Sequence, residues 1–164
     1  MWLLTLLKLC FLRANPQDLP TSSGATAVAI LTYCITDVVT ALMTVPLVRA
    51  LEAAVIDTFL LVALVHMALN LRKLNARLRQ TLLALAASGT VLAVVTLAVA
   101  GLLPSGTSLD FVWTLSVLWM FVVYGHILRH ALDVSYVLGI VATAVYFMLS
   151  LLVAAPLLMV SETS

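Results

Sequence analysis

Two aspartates, Asp37 and Asp57, stand inside strongly apolar stretches of the sequence. A carboxylate in hydrocarbon costs at least a few kcal/mol, so an acid inside a membrane span is a functional candidate by default. If the flanking stretches form an antiparallel helix pair joined near Pro46, each acid lies about seven residues from the turn, and both sit roughly 10 Å below one surface at about 1.5 Å per residue. Two facing carboxylates share a proton readily, which suits proton or cation handling. The structural alternative is that Arg49, in the same hairpin, pairs with Glu52, Asp57 or Asp37 and simply pins two helices. His66 lies further along the second helix, and the candidate intramembrane polar cluster is therefore Asp37, Asp57, Arg49, Glu52 and His66.

A second constellation is His126, His130 and Asp133, spaced i, i+4 and i+7 and so on one face of a continuing helix. That spacing makes a weak metal candidate, with Arg129 alongside as a competing cation. His66 with a histidine of this group is the corresponding bis-histidine haem arrangement. Interface histidines bonding backbone or lipid phosphate account for the same residues, and no metal or cofactor is expected. The serines at 88, 105, 108, 116, 135 and 150 have no histidine and acid at a recognisable motif spacing, and a lone serine in a span usually bonds its own helix. The neighbours of Asp37 and Asp57 lack the tyrosine or glycine companions of an intramembrane aspartyl protease. No catalysis is expected.

The elements that must position these residues follow from composition. Of 164 residues, 64% are apolar and 9% charged, against roughly 45–50% and 25% in an average soluble domain. The formal charge of +1 provides no basic field to hold nucleic acid through counterion release. At about 20 residues per span, the chain has room for five or six crossings and no soluble catalytic domain. The expected spans are 24–44, 50–71, 81–103, 109–128 and 134–160. Residues 2–12 are apolar but too short to cross, and read as an amphipathic helix lying in the interface with Trp2 at headgroup depth and Lys8 and Arg13 reaching water. Pro16 and Pro20 break it, and Thr21 to Gly24 offer caps for the next helix. Turns are expected at 104–108, by composition, and at 129–133.

The reading is thus all-α: a polytopic membrane protein of five transmembrane helices (21–164) preceded by an interfacial helix and Pro-bounded connector (1–20). Cys10 and Cys34 form no metal or redox motif and are expected to remain thiols. The first residues lack a basic leader and a small-x-small cleavage site, so the N-terminal segment is expected to be retained. Seven of the eight Lys and Arg fall on one side: Lys8, Arg13, Arg72, Lys73, Arg77, Arg79 and Arg129. Only Arg49 falls on the other, which places the N-terminus in the cytoplasm and the C-terminus outside. Small residues in the third and fifth spans allow close helix approach.

The Arg77-Leu-Arg-Gln80-Thr-Leu-Leu-Ala-Leu entry into the third span, and Trp119 followed by Gly125-His-Ile-Leu-Arg-His-Ala-Leu132, resemble small bacterial inner-membrane proteins that are loosely similar to the Yip1 domain family. Gln17-Asp18-Leu19-Pro20 stands where that family carries Asp-Leu-Tyr. The resemblance spans about residues 16–158 and implies an integral inner-membrane scaffold or adaptor, assembling with itself or a membrane protein partner in the lipid bilayer. The expected cytoplasmic interface is Arg72, Lys73, Arg77, Arg79, Gln80 and Arg129. The alternative is a small proton- or cation-coupled transporter using Asp37 and Asp57.

Overall fold

A computed structural model describes residues 2–103 and 107–159, with side chains over 4–103 and 109–153. The turn expected at 104–108, the side chain of Trp2 and the polar tail lie largely or wholly outside those ranges. The elements are α1 (Trp2–Cys10), α2 (Ser23–Ala41), α3 (Leu47–Leu71), α4 (Leu78–Leu102), α5 (Thr107–Leu132) and α6 (Tyr136–Met159), with single 3-10 turns at Pro16–Asp18 and Asn75–Arg77. There is no strand among the described residues. Helices α2 to α6 are each long and apolar enough to cross a membrane, which defines the chain as a multi-pass membrane protein by length and composition.

The outer surface agrees with an apolar surrounding. Along α2 the exposed residues include Val28, Leu31, Ile35, Val39 and Leu42, spaced so that they form one stripe of a 3.6-residue helix. Exposed apolar surface on this scale would be an aggregation hazard in water and is ordinary against lipid. Three threonines of α2 are silenced locally: Thr32 donates to Ala29 O, Thr36 to Thr32 O and Thr40 to Thr36 O. Bonds of that kind satisfy hydroxyls within the helix that bears them.

The five long helices close a ring in the order α2, α3, α6, α5, α4 and back to α2. Two close approaches draw it tight. At Gly139 of α6 an added Cβ would strike Gly125 O of α5, and at Gly125 it would meet Ile140, so these helices cross backbone to backbone as small residues permit. On the other side of the ring, Thr26 of α2 donates to Arg79 O at the start of α4, 3.2 Å away. One half of the ring is filled by apolar side chains, with Leu61, Val65 and Leu69 of α3 buried in one cluster with Leu82, Leu83 and Leu85 of α4 and Val123 and Ile127 of α5.

That filled half is the end where α3 and α5 terminate and where the connector between α1 and α2, residues 13–20 and here called the strap, lies against the bundle. Each of α1, α3 and α5 stops in the same way. Leu12, Lys73 and Asp133 take left-handed φ values of 61°, 58° and 55°. The next amide reaches back five residues: Arg13 N to Lys8 O, Leu74 N to Leu69 O and Val134 N to Arg129 O, the Schellman closure. The last of these lies beyond the turn expected at 129–133, so α5 runs on to Leu132. No glycine or proline stands there to announce the stop.

The N-terminal segment is docked against the bundle. Leu6, Leu9 and Cys10 of α1 are buried, with Leu6 and Leu9 in the same cluster as Leu82 and Leu85, while Leu4, Leu7 and Phe11 face outward. The strap that follows is tied by side chains: Gln80 Nε2 donates to Gln17 O and Leu19 O at 3.1 and 3.0 Å, and His126 Nε2 lies 3.1 Å from Ala14 O.

Candidate functional site

In the other half of the ring, toward the Pro46 turn, a small group of polar side chains stands in an otherwise apolar interior. Asp57 of α3 lies at its floor and receives three hydroxyls. Tyr33 Oη of α2 donates to Oδ2 at 2.7 Å, Tyr146 Oη of α6 donates to the same oxygen at 2.8 Å, and Ser150 Oγ, one turn further along α6, donates to Oδ1. The two tyrosine oxygens are 3.0 Å apart. Three helices are thereby joined through one carboxylate, and bonds to a charged acceptor are stronger than neutral ones.

Asp37 lies one turn after Tyr33 on α2 and opens with Asp57 onto the same cavity, of about 610 Å³. Among the described residues no donor is hydrogen-bonded to Asp37. The walls are largely carbon: Met43 from the α2–α3 turn, Leu109, Trp113 and Met120 from α5, and Phe147 from α6. Neither lysine nor arginine is among the lining residues. A narrower arm of about 150 Å³ runs between α2, α4 and α5, sharing Tyr33, Asp37, Thr40, Trp113 and Met120 with the main cavity and ending at Gly89 and Tyr124.

The end of that arm holds an unusual group. The Tyr124 hydroxyl is fully buried and has no hydrogen-bond partner; with Thr58 it forms the pair of orphaned buried side-chain atoms among the described residues. It fits there because position 89 is glycine. An added Cβ would strike the Tyr124 hydroxyl and stand 2.8 Å from Tyr33 Cε2. A buried polar atom without a partner costs on the order of 1–3 kcal/mol.

The structure brings Asp37 and Asp57 to one cavity and separates the rest of the expected cluster. Arg49 pairs with Glu52 at 3.3 Å, on the partly exposed first turns of α3. His66 is exposed on α3. Of the loop residues, Arg72 donates to Leu132 O and Asp133 O at 3.3 Å, and Arg77 to His130 O and Ala131 O at 3.1 and 3.4 Å. Both guanidiniums cap the carbonyl end of α5, where cations complete orphan acceptors and meet the negative end of the helix dipole. Gln80 binds the strap. Lys73, Arg79 and Arg129 remain exposed. His126 and His130 stack edge to face at 4.6 Å between centroids, while Asp133 is in the turn beyond the helix, and among the described residues no three His, Cys, Asp or Glu are close enough to hold a metal.

Sequence reading missed Tyr33, Tyr124, Tyr146 and Ser150. The signal was present for three of them. Tyr33 is i−4 from Asp37, and Tyr146 and Ser150 stand i, i+4 on a helix that carries no charge, a polar stripe facing inward. No family model matches this chain, and neither a curated protein nor a solved structure does.

Proposed function

We propose that the protein is a small proton- or cation-coupled membrane transporter whose binding site is the cavity over Asp57, with Asp37 as the carboxylate that meets the ion. The observation that carries this reading is the division of labour between the two acids. Both oxygens of Asp57 are engaged by hydroxyls, whereas Asp37 faces the same cavity with no donor bonded to it among the described residues. Asp57 shapes the floor, and Asp37 is left to receive the arriving ion. On the charge count of the loops, the strap end is cytoplasmic and the cavity opens on the outside of the inner membrane. The apolar packing beneath Asp57 separates the cavity from the opposite face, as a site alternately open to two sides requires.

The test is flux in proteoliposomes under an imposed proton or sodium gradient. Wild-type protein is expected to dissipate the gradient, and Asp37→Asn to abolish that flux while remaining folded. Asp57→Asn is expected both to abolish flux and to lower stability by about 1–3 kcal/mol, since an amide leaves hydroxyl donors unanswered. Flux that survives Asp37→Asn removes the reading. Wild-type vesicles that carry no flux would favour the adaptor reading instead, which rests on Lys73, Arg79 and Arg129 standing exposed on one end of the bundle and on an oligomer or membrane partner to meet them.

A further inference from the structure

We infer that the ligand of this cavity is an organic cation, a positively charged centre carrying its own hydrocarbon or aromatic surface. The inference rests on the cation reading above and names the class of cation. Three observations converge on it. The cavity, at about 610 Å³, is of the size that holds a drug-sized molecule, far more than a bare metal ion or a proton needs. Its charge is wholly negative, with two carboxylates and no basic residue in the lining. Its wall includes aromatic and thioether side chains, with Trp113 and Met120 two turns apart on one face of α5, Phe147 on α6 and Met43 in the α2–α3 turn.

An inorganic cation is poorly served by that wall. Hard ions are held by several oxygens in a cage, and here both Asp57 oxygens are already engaged by hydroxyls. An ammonium or phosphonium centre needs one carboxylate and aromatic faces, because the ring quadrupole attracts a cation and the apolar arms of the ligand bury against carbon. Methionine adds a soft surface that adapts to irregular shapes.

The experiment is titration calorimetry of the full chain in mild detergent with tetraphenylphosphonium, using tetraphenylborate as an anion of the same shape. Tetraphenylphosphonium is expected to bind and tetraphenylborate to fail. Asp37→Asn is expected to weaken tetraphenylphosphonium by about tenfold or more, as loss of one partner of a desolvated charge pair does. Thr40→Trp, which fills the cavity from α2, is expected to abolish binding even if Asp37→Asn proves unstable, and Asp110→Asn, exposed at the start of α5, to leave it unchanged. Equal binding of the two probes, binding unaffected by both cavity variants, or no binding at all overturns the inference. Sodium alone, titrated with the same protein, separates the two levels. Sodium binding or gradient dissipation without tetraphenylphosphonium binding keeps the coupled-transport reading and removes the organic cation. Tetraphenylphosphonium binding without flux in vesicles does the reverse.

Discussion

At the scale of single residues the sequence marked the acids well and their partners poorly. An aspartate in an apolar run is visible because its cost in lipid is high, so Asp37 and Asp57 stood out before any geometry was known. Tyrosine is amphipathic and ordinary in a span, and only the pairing of its hydroxyl with a carboxylate on another helix distinguishes Tyr33 and Tyr146. Arg72 and Arg77 mislead in the opposite sense, since a charged loop suggests a surface, yet both guanidiniums bind the chain's own carbonyls. Cys10 illustrates how docking alters reactivity. Burial pushes its thiol up to about 11, and the thiolate is the nucleophile. In a Cys34→Ser background, maleimide labelling of Cys10 should therefore be slow near neutrality and rise about tenfold per pH unit toward pH 11. Gln80→Ala, which releases the strap, should speed it at every pH. Rapid labelling of the parent at neutral pH would show that α1 is not held against α4.

At the scale of elements, five spans were legible because length and hydropathy alone specify them, and the observed bounds differ from the expected ones by a few residues. The ends were harder to read. Left-handed closure at Leu12, Lys73 and Asp133 uses residues for which that conformation is unfavourable, so the usual glycine signal is missing. The short first helix reads from sequence as lying in the interface; that one face of it is buried against α4 depends on Leu82 and Leu85, residues distant in sequence that no local pattern connects to it. The closures make a stability prediction. Lys73→Gly, at an exposed position, should raise unfolding stability in detergent by about 0.5–1 kcal/mol by removing the Cβ penalty. A loss instead would mean that the extra freedom glycine gives the unfolded chain outweighs the relief.

At the scale of the whole molecule, the ring is asymmetric along its axis: apolar beneath Asp57, where a void of about 190 Å³ is lined by Leu61, Val65, Leu85 and Leu128 among others, and more widely open above it toward the Pro46 turn. The order of helices around the ring could not be read from sequence, because it is fixed by close approaches such as Gly125 against Gly139 that involve no periodicity. The asymmetry has an electrical side. Asp37 lies four residues before the end of α2 at Ala41, so a bound cation has travelled roughly 6 Å of a hydrocarbon layer about 30 Å thick. At about 2.3 kcal/mol per charge for a full crossing at 100 mV, that fraction is worth roughly 0.5 kcal/mol, or about twofold in occupancy. Cation affinity measured in vesicles should accordingly shift about twofold per 100 mV of imposed potential, in the sense that a negative strap side draws the ion in.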